Sequence, residues 1–325
     1  MARFCILCLI AFISVTSAQF IPPYTEDCRT DMYPPKGPTF KGTVSWYTID
    51  LDLPPHKRWT SLITEKKKDL DNMIQVIRDL AKAFVPSGRL IELVDVTLPL
   101  MVNTLPNPFK DEIKGIALDS GIPLGEITLF NIFYEVFTVC TSVVAEDSKG
   151  NLLHGRNLDF GLFMGHPRVD SGQRDGMWMS FLTRSVLENA TSYDNARYAL
   201  AQTKLLAPAY FILGGNQSGQ GCIITRSREL SLDLLELNVK LGRWYVLETN
   251  YDHWEEPFFL DDRRTPAMTC MNKTTQTNIS IKTLYDMLST KPVLNKLTTY
   301  TTLMQVSEGT LESYIRDCPN PCMPW

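Results

Sequence analysis

Residues 138–145 read TVCTSVVA, and they mark the point at which the character of the chain changes. The run is apolar and rich in β-branched residues, which predicts a buried strand. The next segment, DSKGN at residues 147–151, has the composition of a turn. Residues 152–160, LLHGRNLDF, then predict the returning strand. We therefore expect a β-hairpin with Cys140 near its first end.

The sequence before this hairpin predicts helices. Residues 59–84 carry apolar side chains at steps of three and four, the pattern of an amphipathic helix. A second apolar, helical stretch covers residues 90–105. A short helix is expected at 111–117, and another opens at 123–126 and runs through residue 129 to 137. Residues 19–59, in contrast, are rich in proline and aromatic residues, which favours extended segments and turns.

The sequence after the hairpin mixes strands with helices. A helix is expected beyond Thr183, to about Lys204. Strands are predicted at residues 209–214, 221–226, 232–238 and 244–249. A chain that begins with helices and continues through a hairpin into mixed elements favours a layered α+β fold.

The first residues predict the cellular route. Arg3 precedes an apolar run over residues 4–15, and small residues follow at 16–18, as in a cleaved signal peptide. The run is shorter than the ~20 apolar residues that a membrane helix needs. Cleavage after Ala18 leaves a mature chain that begins at Gln19. Four Asn-x-Ser/Thr sequences agree with a glycosylated lumenal protein, and they begin at Asn189, Asn216, Asn272 and Asn278.

Composition argues against two classes of protein. A net charge of -4 and a pI near 5.7 give no basis for nucleic-acid binding. The histidines lack the spacing of metal ligands, so we expect no metal and no other cofactor. They are His56, His154, His166 and His253.

Cysteine count leaves the disulfide pattern open. Removing the leader removes Cys5 and Cys8, and six cysteines remain: Cys28, Cys140, Cys222, Cys270, Cys318 and Cys322. In an oxidising compartment six cysteines allow fifteen connectivities. The short loop 318–322, bent by two prolines, favours a local bridge. The other four need not all pair, because one of them can serve chemistry instead of structure.

Cys140 has two interpretations. A cysteine inside an apolar strand is commonly a buried structural thiol. The alternative is a reactive nucleophile. Five longer motifs favour the second interpretation: CTSVVAED at 140–147, HGRNLDFG at 154–161, APAYFILGGN at 207–216, ETNYD at 248–252 and DDRRTP at 261–266. Together these motifs resemble the acid ceramidase family of N-terminal nucleophile hydrolases, which includes N-acylethanolamine acid amidase.

The resemblance implies an αββα sandwich and a proenzyme that cuts itself between Val139 and Cys140. The products are a mainly helical light chain, residues 19–139, and a catalytic heavy chain, residues 140–325. The freed α-amine of Cys140 then serves as general base for its own thiol. The thiolate attacks an amide carbonyl, and water hydrolyses the resulting thioester. A lysosomal enzyme, partly secreted, is implied.

The resemblance also implies a role for further residues. Arg156 supplies the cation that favours the neutral amine and the thiolate, and Asp159 accepts a hydrogen bond that orients the amine. Asn250 donates to the oxyanion, and Arg263 holds the charge network of the site together. Residues three apart in a regular strand face opposite sides. Arg156 and Asp159 can therefore converge on Cys140 only if their strand ends or bulges between them.

The same resemblance implies a cysteine pairing. Cys28 pairs with Cys270, which ties the light chain to the heavy chain, and Cys318 pairs with Cys322. Cys222 remains as a free, buried thiol.

Two members of the family imply different substrates for this chain. The run 248–254, ETNYDHW, favours the N-acylethanolamine amidase, whereas the cysteines and the ending RDCPNPC at 316–322 favour the ceramidase. Of the two predictions we favour ceramide, or a related N-acyl lipid, as the substrate. Implied partners are a lysosomal membrane surface and a lipid-transfer activator protein. The apolar stretch 90–105 suits either lipid contact or core packing.

The chain departs from the family at one place. Only sixteen residues separate Gly161 from Trp178, where family members carry further strands and an active-site glutamate. Loss of strands exposes ladder edges that must otherwise be covered. We therefore expect an incomplete sheet and a poorly active or inactive variant of an active enzyme. A catalytically silent lipid-binding or interaction protein is the alternative from another class.

Overall fold

The computed structural model describes residues 25–84, 87, 89–160 and 175–322. The predicted signal peptide and most of the polar stretch 162–177 lie outside the described residues. Within the described part of the chain there are eight α-helices and nine strands, so the fold is α+β, as predicted. None of the described helices has the combined length and apolar character needed to cross a membrane.

The helices in the first part of the chain follow the predicted pattern. They are α1 (Thr60–Phe84), α2 (Arg89–Val102), α3 (Phe109–Ser120) and α4 (Leu124–Phe137). Helix α4 ends immediately before strand β2 (Thr138–Glu146) begins. The Val139–Cys140 bond therefore lies inside a strand, two residues beyond the end of a helix.

One helix prediction was wrong. The single helix expected from Thr183 to Lys204 is two helices, α5 (Met179–Asn189) and α6 (Tyr193–Gln202). The backbone is extended at Ala190, and the Ser192 side chain accepts a hydrogen bond from the Asn195 N–H. Serine is favoured at such a helix start because its hydroxyl satisfies an N–H that has no partner inside the helix. Two further helices follow later in the chain, α7 (Arg264–Asn278) and α8 (Ile281–Leu288).

The strands form two antiparallel sheets. The other strands are β1 (Phe40–Thr43), β3 (Leu152–Phe160), β4 (Ala209–Gly214), β5 (Gly221–Arg226), β6 (Ser231–Glu236), β7 (Tyr245–Glu248), β8 (Thr298–Gln305) and β9 (Thr310–Arg316). The larger sheet has the order β1-β9-β8-β3-β2-β7, and the smaller has the order β4-β5-β6. The predicted hairpin, β2 with β3, lies near the middle of the larger sheet.

Apolar contacts arrange these elements in four layers. Val143 and Ala145 of β2 pack against Leu284 and Leu288 of α8, so α7 and α8 cover one face of the larger sheet. Side chains on the opposite face of β2 meet the smaller sheet, where Ile223 is buried. Helices α5 and α6 cover the far side of the smaller sheet. The order helix, sheet, sheet, helix agrees with the predicted αββα sandwich.

Helix α5 joins this sandwich to the helices before the hairpin. Phe181 of α5 stacks on Phe109 of α3, with ring centroids 4.7 Å apart. Arg184 donates two hydrogen bonds to the buried Glu112 carboxylate, which also accepts from Arg58. Stacked aromatic rings and bidentate arginine–carboxylate pairs both give specific geometry. The segments before and after Val139 are therefore packed into one body.

Two disulfides add covalent links. Cys28 is bonded to Cys270 of α7, and Cys318 is bonded to Cys322. Cys140 and Cys222 are the free thiols among the described residues, and Cys222 is fully buried. The asparagines of all four glycosylation sequences, Asn189, Asn216, Asn272 and Asn278, are exposed.

Candidate active site

Cys140 is the third residue of β2 and pairs with Leu158 of β3. The residue retains some solvent exposure. The Arg156 guanidinium, also on β3, donates a hydrogen bond from Nη2 to the Cys140 sulfur over 3.0 Å. The cation predicted to act on the thiol therefore touches it directly.

Burial and charge act in opposite directions on this thiol. Burial raises the pKa of Cys140 above its usual value, and the nearby Arg156 cation pulls that pKa down. The Asp159 carboxylate raises the pKa, whereas Arg263 lowers it. Burial is the largest of these effects, so the sulfur of the uncut chain is a protonated thiol at neutral and acidic pH. Its activation requires a base.

The main-chain atoms of Cys140 are also held. Its N–H donates to the Asn250 Oδ1 over 2.7 Å, and its carbonyl oxygen accepts from Arg263 Nη1 over 2.6 Å. In the uncut chain this nitrogen is a peptide amide, and it is the atom that would become the α-amine after cleavage at Val139. Asn250 therefore presents its carbonyl oxygen to the nitrogen of the Val139–Cys140 bond, whereas the sequence predicted an amide donor for an oxyanion.

Arg156 and Asp159 lie on opposite faces of β3. Arg156 reaches the Cys140 sulfur, and Asp159 lies on the other side, where it accepts from Thr298 Oγ1 and Asn295 Nδ2. The pairing of β3 with β8 shifts register between Leu158 and Asp159, but the pairing of β3 with β2 is regular there, so this shift does not bring the two side chains to one face. In the uncut chain Asn250, and not the predicted Asp159, accepts the hydrogen bond from the Cys140 nitrogen.

Arg263 links the two faces. Its guanidinium is fully buried and lies 3.5 Å from Asp159 and 2.8 Å from Asp261. It also donates to the carbonyl oxygen of Thr249 and to Asn250 Oδ1. Burial of a charge is costly unless the charge is paired and hydrogen-bonded, and here both conditions are met. Arg263 thus connects the carboxylates to the residues around Cys140.

Glu248 is a member of the site that sequence reasoning missed. This buried residue is the last of β7, and its Oε1 accepts the N–H groups of Asn250 over 2.6 Å and Tyr251 over 3.0 Å. Asn250 has a left-handed backbone, with φ at 74°. The one signal in the sequence was the place of Glu248 in the ETNYD motif. That signal is weak, because an acidic residue at the end of a strand is commonly a surface or structural residue.

The Glu248→Gln change is expected to flatten the dependence of stability on pH. Burial raises the pKa of Glu248 from 4.5 to about 7. The folded chain therefore holds this proton more tightly than the unfolded chain. The associated stability is complete at low pH and is lost as the pH rises through the folded-state pKa. At ~1.36 kcal/mol per pKa unit, the loss amounts to about 3 kcal/mol.

Urea unfolding at a series of pH values, between about pH 4 and pH 8, measures this difference. Both proteins carry Cys140→Ala, which excludes the self-cleavage that the sequence predicts at this residue. A Gln variant whose unfolding free energy keeps the full pH dependence of its parent would show that Glu248 is not the group responsible.

Comparisons with known protein families give two matches. Residues 42–105 match the beta subunit of N-acylethanolamine-hydrolyzing acid amidase. Residues 163–317 match the linear amide C-N hydrolases of the choloylglycine hydrolase family. The second match includes Asn250 and Arg263 of the site.

Individual relatives match over the whole chain. Acid ceramidase of Pan troglodytes is 49% identical over an alignment of 391 positions, which covers 100% of this chain and 99% of the relative. Acid ceramidase of Homo sapiens is 49% identical, with 98% of this chain and 97% of the relative covered. Among solved structures, the Caenorhabditis elegans N-acylethanolamine-hydrolyzing acid amidase ortholog is 28% identical with a TM-score of 0.46, covering 55% of this chain and 100% of that one.

The alignment with the first of these relatives is longer than this chain. It has 391 positions against 325 residues, so at least 66 positions have no residue here.

Proposed function

This chain belongs to the acid ceramidase family, and from this premise we propose that it hydrolyses the amide bond of ceramide to sphingosine and free fatty acid. The observation that carries the proposal is the arrangement around Cys140. A cation contacts its sulfur, and a side-chain oxygen holds its nitrogen. These are the two atoms that an N-terminal nucleophile uses.

The first step is cleavage of the chain by its own thiol. The Cys140 sulfur attacks the carbonyl carbon of Val139, a carbon–sulfur bond forms, and the carbon–nitrogen bond to Cys140 breaks. The nitrogen takes up the thiol proton and becomes the α-amine. Water then hydrolyses the thioester, which leaves a carboxylate on Val139 and a free thiol on Cys140. The products are a light chain, residues 19–139, and a heavy chain, residues 140–325.

The second reaction repeats this chemistry on the substrate. The α-amine takes the thiol proton, and the thiolate attacks the amide carbonyl of the lipid. While the Asn250 Oδ1 accepts from the Cys140 nitrogen, we propose that the Nδ2 of the same side chain donates to the resulting oxyanion, and preorganised donors of this kind contribute ~10²–10³ in rate. The amine product leaves with a proton, and water hydrolyses the acyl-enzyme to the fatty acid.

Charge around the nucleophile suits this cycle. A free α-amine has a pKa of ~7.7–8.0, so it is mostly protonated in an acidic compartment. The Arg156 guanidinium, in contact with the sulfur, favours the thiolate and the neutral amine. The Asp159 carboxylate opposes the effect of Arg156 on the thiolate. Its ion pair with Arg263 holds the Arg263 guanidinium in place. The charges of three residues thus control the protonation of the thiol and the amine: Arg156, Asp159 and Arg263.

We infer that the block missing from this chain follows Gly161. The unmatched alignment positions and the three strands of the smaller sheet in the described part of the chain support the loss of a block, and the sixteen residues between Gly161 and Trp178 support its place. Among the described residues, β4 and β6 are the edge strands of this sheet. Because a glutamate expected in the missing block is also absent, we expect a lower kcat than in full-length relatives. A kcat equal to that of the relatives would contradict the expected loss of activity.

The cellular setting follows from the same family. We propose that the protein is glycosylated on the secretory route and acts in the lysosome, with some secreted. Its light and heavy chains stay associated through the Cys28–Cys270 bond and through the α3–α5 packing. Val96 and Leu100 on α2 are exposed apolar side chains. We propose that they contact a lipid surface, and that a lipid-transfer activator protein assists delivery of the substrate.

The substrate experiment compares two lipids. The purified protein is incubated at acidic pH with ceramide and, separately, with an N-acylethanolamine of the same acyl chain, and released fatty acid is measured. Release that is faster from ceramide supports the proposal. Faster release from the N-acylethanolamine would favour the acid amidase activity. A fully processed protein that releases fatty acid from neither lipid would indicate a catalytically silent, lipid-binding role.

A further inference from the structure

Glu248 lies on the same face of the larger sheet as the nucleophile. Ser142 of β2 pairs with Arg156 on one side and with Glu248 on the other. Paired residues in a sheet share a face, and so do residues two apart along a strand. Glu248, Ser142, Arg156 and Cys140 therefore lie on one face. Buried acids are rare unless they have a partner, so the contacts of this one indicate its role.

Those contacts run from Glu248 to the scissile bond. Its Oε1 accepts the N–H groups of both Asn250 and Tyr251. These two bonds hold the tight turn in which Asn250 has its positive φ of 74°, a conformation that is uncommon for residues other than glycine. From this turn the Asn250 side chain reaches Cys140, and its Oδ1 accepts the Cys140 N–H over 2.7 Å.

We propose that Glu248 is a positioning residue, which acts through Asn250 to hold the Cys140 nitrogen in place for both self-cleavage and amide hydrolysis. The proposal rests on the proposed function of Cys140 as an N-terminal nucleophile. Glu248 itself does not contact Cys140 in this scheme. Its effect depends on where its acceptor oxygen lies, because a misplacement of ~1 Å in an active site can cost ~10²-fold in rate.

Protonated, neutral Glu248 can also accept the N–H groups of Asn250 and Tyr251. Burial raises the pKa of Glu248 to about 7, so the carboxyl is mainly protonated in an acidic compartment. Both N–H bonds end on one oxygen, Oε1. Glutamine has a carbonyl oxygen at the same distance along its side chain, and Glu248→Gln is therefore expected to preserve the turn. Aspartate is one methylene shorter, so Glu248→Asp withdraws the oxygen.

Glu146 provides a matched control. It is a buried glutamate at the far end of β2, and it also accepts a main-chain N–H, from Gly219, as well as the Ser218 hydroxyl. Glu146→Asp shortens a similar side chain away from Cys140. We expect it to leave the rate of cleavage at Val139–Cys140 unchanged.

The kinetic experiment uses the full chain and follows self-cleavage and fatty acid release. Glu248→Asp is expected to slow both by roughly ten- to a hundredfold, with a lower kcat and a nearly unchanged KM, whereas Glu248→Gln keeps close to the parent rates. In an Asn250→Ala background, Glu248→Asp should cause no further loss, because the two residues act in series. Effects that multiply would overturn the proposal.

A second measurement does not depend on activity. Amide hydrogen exchange is measured on uncut Cys140→Ala chains, where residue 140 keeps its N–H. Glu248→Asp is expected to speed exchange at residue 140, and Glu146→Asp is not. Unchanged exchange at residue 140 in Glu248→Asp would overturn the positioning role. Failure of the proposed function would instead appear as no fatty acid release in any variant, with the exchange result still decisive for Glu248.

Discussion

Cys140→Ala is expected to leave the chain uncut at Val139 and to abolish fatty acid release from ceramide. The substitution removes the sulfur that we propose as the nucleophile of both reactions, and the Arg156 contact to that sulfur is lost as well. No hydroxyl or thiol remains at position 140 to form an acyl intermediate. The expected result is therefore complete loss of both reactions, in contrast to the graded loss expected from residues that only assist.

Cys222→Ala is the matched control for this prediction. Cys222 is the other free thiol of the described chain, and it is fully buried in β5, facing α6. Removing its sulfur is expected to cost some stability and to leave cleavage at Val139–Cys140 intact. Gel separation of the purified variants after reduction reports cleavage, and fatty acid release is measured in parallel. A Cys140→Ala chain that still cuts itself would exclude the nucleophile assignment.

Arg263→Met is expected to give the largest loss of stability of any single change in the site. Its guanidinium is fully buried and is paired with Asp159 and Asp261. Methionine leaves both carboxylates buried without their cation. Removal of one partner from a buried ion pair typically costs ~3–5 kcal/mol, because the remaining charge is uncompensated. Urea unfolding of the uncut Cys140→Ala background, with and without Arg263→Met, measures the change.

Arg264→Met is the neighbouring control. Arg264 donates to the carbonyl oxygens of Glu255, Tyr251 and Asp252. Its removal therefore leaves no buried carboxylate without the cation that it was paired with. A smaller loss, on the order of 1 kcal/mol, is expected from the lost hydrogen bonds. Equal losses in Arg263→Met and Arg264→Met would show that the buried carboxylates do not depend on Arg263.

Local patterns were enough to predict most elements of the fold. The strands β2 and β3 could be predicted because β-branched runs flank a polar turn, and α1 because its apolar residues recur at helical steps. The break between α5 and α6 was missed, since apolar periodicity continues across it. The start of α6 depends on the Ser192 hydroxyl, which is a signal of one residue.

The contacts of the site were less predictable. Resemblance brought Arg156, Asp159, Asn250 and Arg263 forward as candidates, and all four lie around Cys140 or are linked to it through Arg263. The Asn250 Oδ1 faces Cys140 because the Cys140 N–H is a donor, and the side chain reaches it from a turn of positive φ whose N–H groups donate to the Glu248 carboxyl. Composition and spacing carry no sign of such a contact.

The most direct test of the central claim, that Cys140 is a latent nucleophile exposed by cutting its own preceding bond, is the intact mass of the purified protein with and without reduction. Reduction is expected to give two chains that divide between Val139 and Cys140. Without reduction, a single species held by the Cys28–Cys270 bond is expected. One uncut chain under both conditions, or a division at any other bond, would contradict the claim.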